Sequence, residues 1–230
     1  MTPLARTPEP ELMDEAEQAL AYAEADFSEP HNRFIALFHQ AFADSPVAGT
    51  VLDLGCGPAD VILRFARAHP DCRIDGVDGA TSMLVLGRSR VEAAGLSHRI
   101  RLIKGYLPGA ELPLPRYDTI ISNSLLHHLA EPSVLWQSIR QYGSPGAAVF
   151  VMDLRRPDNQ QDLDTLVRQH AAGEPEILQR DFRLSLHAAY RPEEIRQQLQ
   201  QAGLDGLTVS ASGDRHLIVY GHLPAEATTP

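Results

Sequence analysis

The sequence predicts an α/β fold: a seven-stranded, mostly parallel sheet with helices on both faces and an antiparallel hairpin strand near the C-terminus. Three features carry that expectation. Short apolar runs of strand length alternate with longer amphipathic stretches, the pattern of repeated βα units. The first apolar run, Val51-Leu52-Asp53-Leu54, passes directly into Gly55-Cys56-Gly57-Pro58, a turn that leads into a helix. Near the other end, residues 206–210 and 216–221 are two strand-like runs joined through Ser212-Gly213-Asp214, a hairpin signal.

The elements follow in order. Residues 2–10 are rich in proline and read as mobile. Residues 11–25 are rich in alanine and glutamate and should be helical. After a break at Ser28-Glu29-Pro30, residues 31–43 carry Phe34, Ile35, Phe38, Ala41 and Phe42 on one helical face. Residues 1–45 therefore form an N-terminal helical cover. Its apolar face fits packing over a ligand and packing on the sheet edge equally well.

After the first strand, Pro58 suits the first turn of a helix, and Val61, Ile62, Phe65 and Ala66 are its buried side. Cys72–Asp78 is a second strand, and Thr81 or Ser82 can cap the helix after it. Ile100–Lys104 is a third strand, followed by Gly105-Tyr106 and a proline-broken loop over residues 108–115. Residues 117–122 form the fourth strand, and 131–142 a helix with Leu135, Trp136 and Ile139 inward. Gly143-Ser144-Pro145-Gly146 reads as a turn before a buried fifth strand at 147–154. Polar residues 158–169 and 174–185 make an excursion, and a helix starting at Pro192 ends at Gly203. The domain thus spans 46–222, with a lid insertion at about 155–190 and a tail at 223–230.

Composition narrows the function. The 230 residues are 43% hydrophobic, enough for a core. Lys and Arg number 20 against 30 for Asp and Glu, a formal charge of -10 that repels nucleic acid and acidic membranes. Two cysteines, Cys56 and Cys72, suggest neither a disulfide framework nor a metal cluster. No stretch reaches the ~18 apolar residues of a membrane span, and the N-terminus has no apolar leader core. A cytoplasmic protein without a membrane span is expected, and a homodimer is left open.

The glycine turn is the centre of the chemistry. It lies at the carboxyl end of a parallel strand, where open α/β sheets bind ligands. A dinucleotide site wants a third glycine where this chain has Asp60, and carboxylates at Asp53 and Asp60 repel a diphosphate. A cationic ligand reverses that preference; S-adenosylmethionine carries a sulfonium, an ammonium and no phosphate. Asp78 lies about twenty residues beyond the turn, where ribose-binding acids fall. Asp75 is the rival, but it sits inside the strand.

Residues 50–60 resemble motif I of the class I S-adenosylmethionine-dependent methyltransferases, close to V-L-D-x-G-C-G-x-G. Ala59 stands where glycine is usual and is small enough for the turn to survive. The run from Ser122 through Leu126-His127-His128-Leu129 to Pro132 is similar to the S-x-x-x-L-H-H-L-x-D-P text of the small-molecule branch that includes the ubiquinone and menaquinone biosynthesis methyltransferases. The resemblance covers residues 48–222. It implies a Rossmann-like fold, S-adenosyl-L-methionine as cofactor and in-line methyl transfer to an O, N, S or C atom of a small molecule.

It further implies cofactor contacts at Asp53, Gly55, Cys56, Gly57, Asp78, Gly79, Met83, Gly105, Tyr106, Ser122 and Asn123, with Tyr106 where an acid usually receives the adenine amino group. In the related cyclopropane fatty-acid synthases the position of His127 carries a site-facing acid. His127 is therefore expected to be the base or orienting group, with His128 turned into structure. Arg155, Tyr190 and Tyr22 join His127 as expected substrate contacts, and Arg156 and Arg191 would suit an acidic substrate. No metal is expected: the catechol-type enzymes carry acids at the ends of two adjacent strands, whereas here the fourth strand ends in Ser122-Asn123 and only Asp153 stands near the fifth, and histidines at i and i+1 do not share a helix face. Two other readings fit the same motifs: an enzyme of this fold that modifies the cofactor without methylating, and an idle module that binds cofactor and a protein partner.

Overall fold

The switch from short β-branched runs to amphipathic segments produces the expected alternation of strands and helices. The structure is a computed structural model, and it describes residues 3–9, 25–43 and 47–225. The helix expected over residues 11–25, and with it Tyr22, lies outside the described residues. Among those described, the helices are α1 (Ser28–Ala41), α2 (Asp60–Ala68), α3 (Thr81–Ala93), α4 (Ser133–Tyr142), α5 (Gln160–His170), α6 (Glu176–Ala188) and α7 (Pro192–Ala202). The strands are β1 (Gly49–Leu54), β2 (Cys72–Asp78), β3 (Ile100–Lys104), β4 (Tyr117–Asn123), β5 (Gly143–Leu154), β6 (Thr208–Ser212) and β7 (His216–His222).

The seven strands form one sheet in the order β3-β2-β1-β4-β5-β7-β6. β7 runs antiparallel to both β5 and β6, and the other pairings are parallel. The chain moves outward from β1 to β3, then crosses back to place β4 on the other side of β1. That reversal opens a crevice at the carboxyl ends of β1 and β4, the position where such sheets take ligands.

Strand alternation divides the core. Leu52 and Leu54 face a layer with Trp136, Ile139 and Ile195, while Val51 faces Phe34, Phe38, Phe65 and Phe150. Phe34 meets Phe150 edge-on at 4.9 Å, and Phe38 meets Phe65 in the same way at 4.9 Å. α1 is therefore core on one side. Its first turn does something else, because His31 and Pro30 border the crevice.

Several boundaries differ from expectation. Pairing shifts from Tyr117–Gly143 to Thr119–Ala148, so the turn expected at residues 143–146 is a bulge inside β5, with Gly146 at φ 77°. Pro58 precedes the helix rather than opening it. Ala59 is the cap and holds φ 69°, at a cost of about 1 kcal/mol that glycine would avoid. Neither Thr81 nor Ser82 caps α3; the cap is Ala80, whose N–H donates to Asp78 Oδ1 at 2.8 Å.

Residues 3–9 correct the expectation of a mobile end. They form a strap across the excursion: Leu4 N–H donates to the Asp158 carbonyl at 2.9 Å and Thr7 N–H to the His187 carbonyl at 3.1 Å. Arg6 donates to the carbonyls of Ala188, His127 and Leu129, and its guanidinium lies 4.1 Å from the Tyr190 ring centroid.

A close approach at Gly76 also holds the turn. A Cβ there would meet Cys56 Cβ at 2.8 Å, Cys56 Sγ at 2.9 Å and Ile62 Cδ1 at 3.0 Å. Gly76→Ala is expected to destabilise the fold by about 1–3 kcal/mol, read from urea denaturation, because strand and turn cannot both keep their places.

Candidate functional site

Each glycine of the turn has its own task. Gly55 (φ 75°) brings the backbone against Leu125, and a Cβ there would lie 2.9 Å from Leu125 Cδ1. Gly57 (φ 49°) has nothing within 4 Å of the corresponding position and faces open space. That space belongs to a cavity of about 330 Å³ at the carboxyl edge of β1, β2 and β4. Asp53, Gly55, Cys56, Gly57, Asp78, Gly79, Met83, Gly105 and Tyr106 line one part of it. Asn123, His127, His128 and the α6 residues Leu178, Asp181, Phe182 and Ser185 line another, and Asp26, Phe27, Pro30 and His31 contribute from the start of α1.

Asp78 ties this wall together, because its Oδ2 accepts the Gly57 N–H at 2.8 Å while Oδ1 holds Ala80. Asp75 stands apart from the cavity. Arg101 pairs with it through two contacts of 2.9 and 3.0 Å, and the Tyr117 hydroxyl donates to it at 2.7 Å. Asp53 is buried inside the site, and burial, reinforced by the charge of Asp78, pushes its carboxyl up to about 8. The Cys56 thiol is pushed upward by burial as well. His31, also buried, is driven down to about 4 by loss of solvent.

Three expected contacts lie outside the cavity lining. Ser122 is fully buried and donates to the Leu54 carbonyl at 2.8 Å, joining β4 to β1. Arg155 points to the β6–β7 turn and donates to the Asp214 carbonyl at 3.0 Å. Tyr190 is covered by Arg6. Arg156 and Arg191 serve the fold, each donating to the Leu4 carbonyl of the strap. From this excursion the cavity is lined instead by α6 and by His170, Ala171 and Glu174.

The histidine pair also differs from expectation. Leu126–His128 is a single 3-10 turn, not an α-helix, and both rings line the cavity, with centroids 4.2 Å apart. His127 is the more buried, at 3% side-chain exposure against 15% for His128. Its Nδ1 lies 2.5 Å from Asp153 Oδ1, and Asp153 Oδ2 accepts the Leu126 N–H at 2.7 Å. Burial opposes charge on the His127 ring, but the Asp153 carboxylate outweighs it and the net shift is upward.

From the strap, Glu9 reaches the same place. Its Oε1 is 3.6 Å from His127 Nε2 and 3.2 Å from His128 Nδ1, and Ser185 donates to its Oε2 at 3.2 Å. Burial lifts the Glu9 carboxyl to about 7 against the pull of His127.

From the sequence, Asp153 stands out only as an acid near the end of the fifth strand, with no partner assigned to it, and Glu9 does not stand out at all. A signal existed for Asp153: β4 and β5 are neighbours, so the acid ending β5 must lie beside the segment leaving β4. None existed for Glu9.

The wall at Gly57 fits S-adenosylmethionine. An open glycine face, two carboxylates suited to ribose hydroxyls and an ammonium, and a buried Asn123 Oδ1 without a hydrogen-bond partner among the described residues are what an adenosyl cation needs. Among the described residues, no helix is long and apolar enough to cross a membrane.

Comparisons with known proteins agree. A family model described as a methyltransferase domain matches residues 51–146. The protein arginine N-methyltransferase 1 of Saccharomyces cerevisiae is 35% identical over 85 residues, covering 37% of this chain and 24% of the yeast protein. The demethylmenaquinone methyltransferase of Geobacillus stearothermophilus is 26% identical over 107 residues, 46% of this chain and 45% of that one. The chain thus spans less than half the length of either relative. A plantazolicin methyltransferase in complex with a monoazolic desmethylPZN analog and S-adenosylhomocysteine superposes with a TM-score of 0.68 at 14% identity, covering 90% of both chains. Residues 51–146 thus match a methyltransferase domain, and in sheet order and glycine turn the chain has the fold of the class I S-adenosylmethionine-dependent methyltransferases.

Proposed function

We propose that this chain transfers a methyl group from S-adenosylmethionine to a nucleophilic atom of a small molecule held between the histidine turn and α6. The observation that carries this reading is the buried Asp153–His127 pair opening on the same cavity as the Gly55–Gly57 turn. S-adenosylmethionine, when bound, supplies an electrophilic methyl on a good leaving group. The remaining task for the protein is positioning. The Gly57 face and Asp78 would hold the adenosyl part, and Asp53 the amino acid part. Asp153 accepts from His127 Nδ1 and so leaves Nε2, 3.6 Å from Glu9 Oε1, as the ring nitrogen free to meet an acceptor. From there His127 orients the acceptor and makes loss of its proton less costly. The enclosed lining by α6 and the acidic surface of the chain both support a small acceptor rather than a nucleic acid.

The test is an acceptor screen with mass spectrometric detection. Release of S-adenosylhomocysteine matched by a product 14 mass units heavier (roughly one CH₂) supports the reading. Retention of a modified cofactor, or binding without turnover over a broad panel, refutes it.

Asp53 makes the cofactor site sensitive to pH. Below about pH 8 the free protein holds a proton on this carboxyl. A ligand ammonium favours the carboxylate, so that proton must leave on binding. Affinity for S-adenosylhomocysteine is therefore expected to fall about tenfold per unit as pH drops from about 8 to about 6. Calorimetry in buffers of different ionisation enthalpy should show the released proton. Asp53→Asn should flatten the profile, and an unchanged slope in that variant rules out Asp53 as its source.

A further inference from the structure

Glu9, His127 and His128 meet from two chain-distant segments, and the atoms they present to one another are all metal-ligating. Glu9 Oε1, His127 Nε2 and His128 Nδ1 lie within 4.8 Å of one another. The two distances from Glu9 Oε1, 3.6 and 3.2 Å, bracket the ~3.3 Å edge of a tetrahedron whose metal–ligand bonds are ~2.0–2.1 Å long.

The surroundings match what such a site requires. The Nδ1 of His127 is taken by Asp153, which fixes the ring and the tautomer with Nε2 as the ligating lone pair. A carboxylate behind a ligating histidine is the usual outer support of a metal site. Asp153 is itself held by the N–H groups of Leu126 and Leu154 at 2.7 Å each, so its orientation does not depend on the histidine. All three ligands border the cavity or lie buried against it, and three protein ligands leave a fourth position open.

From this geometry we infer that Glu9, His127 and His128 bind one divalent transition cation of the zinc type at the acceptor end of the cavity. The inference rests on the functional reading of that end and deepens it. Two imidazoles and one carboxylate suit zinc, cobalt or ferrous iron better than magnesium or calcium, which prefer oxygen. An oxygen or sulfur acceptor takes the fourth position. Its O–H or S–H then releases its proton to water more readily, because the cation stabilises the anion. The anion attacks the methyl carbon, the C–S bond breaks, and its electron pair stays on sulfur, which becomes a neutral thioether. His127 in this arrangement acts through the cation, and closure of the strap completes the ligand set.

The test uses the full chain stripped with a chelator and titrated with Co²⁺, then with Zn²⁺ in competition. One equivalent of Co²⁺ giving intense visible d–d bands, lost on adding Zn²⁺, is expected. Glu9→Gln and His128→Ala should each weaken binding by about 100-fold or more. Asp153→Asn, which touches no ligand position, should weaken it by about 10–100-fold.

Thermal melts of each variant separate lost ligation from lost fold. A variant that melts early is replaced by Glu9→Ala, which only shortens the strap side chain. The exposed His39–His69 pair, with Nε2 atoms 3.3 Å apart, is the competing site. Binding lost in His39→Ala but kept in Glu9→Gln overturns the inference, as does the absence of stoichiometric binding.

The two readings fail separately. Full methyl transfer by stripped protein that binds no cation sinks the metal site alone. Tight binding at Glu9 without transfer to any acceptor sinks the proposed activity alone.

Discussion

Replacing His127 by alanine is expected to lower turnover by about 10²–10⁴-fold while leaving affinity for S-adenosylhomocysteine nearly unchanged. The separation follows from the geometry. His127 borders the cavity beside α6, whereas the wall proposed for the adenosyl group is built from the Gly55–Gly57 turn, Asp78 and Gly105. The alanine variant also leaves Asp153 buried without its imidazole, so a loss of stability is expected alongside. His127→Asn is the discriminating variant. Its amide can still donate to Asp153 and should recover much of that stability, yet it offers no basic nitrogen at the acceptor space. Steady-state rates, melting temperature and calorimetric affinity measured on both variants decide the matter. Rates that recover together with stability would make the pair structural. His128, expected from the sequence to be turned into structure, lines the same cavity and is no inert control for this variant.

Asp78→Ala should weaken binding of S-adenosylhomocysteine by about 2–4 kcal/mol, the value of a carboxylate fork on two hydroxyls. Wild-type protein should bind this ligand and S-adenosylmethionine but not NAD, whose diphosphate would face the Asp78 carboxylate. The variant has a second effect. Asp78 accepts N–H bonds from both Gly57 and Ala80, so its loss also frees the turn and the start of α3. Asp78→Asn keeps one acceptor oxygen, and it should melt closer to wild type while still binding poorly. Affinity within about twofold of wild type in both variants would show that the ribose is held elsewhere.

Much of this molecule was legible before the fold was known, because much of it is local. The Gly55–Gly57 turn, the strand ending at Asp78 and the Gly203 helix stop are written into short stretches by backbone sterics and side-chain period. The mostly parallel sheet follows from alternating strands and helices, and the Ser212–Asp214 hairpin sets β7 antiparallel to β6; the strand order itself is tertiary. Motif spacing likewise brought Asp53, Gly57, Asp78 and Asn123 to one crevice.

The errors were tertiary. Arg155 and Tyr190 sit at the ligand edge in sequence terms, but the Asp214 carbonyl and the Arg6 guanidinium claim them. Ser122 lies on the strand next to the turn, yet its hydroxyl is spent on a neighbouring carbonyl. The histidine turn winds as a 3-10 segment, so a face rule derived for α-helices separated two rings that the chain holds 4.2 Å apart.

What the sequence by itself determined is the wall proposed for the cofactor, where each group is positioned by its own strand end or turn. What only the tertiary structure decided is the part of the cavity proposed for the acceptor. His127 owes both its tautomer and its main counter-charge to an acid 26 positions away on a neighbouring strand, and a second acidic contact to Glu9 on a strap docked against α6. Such pairs are set by which elements pack side by side, and local propensity carries no record of that.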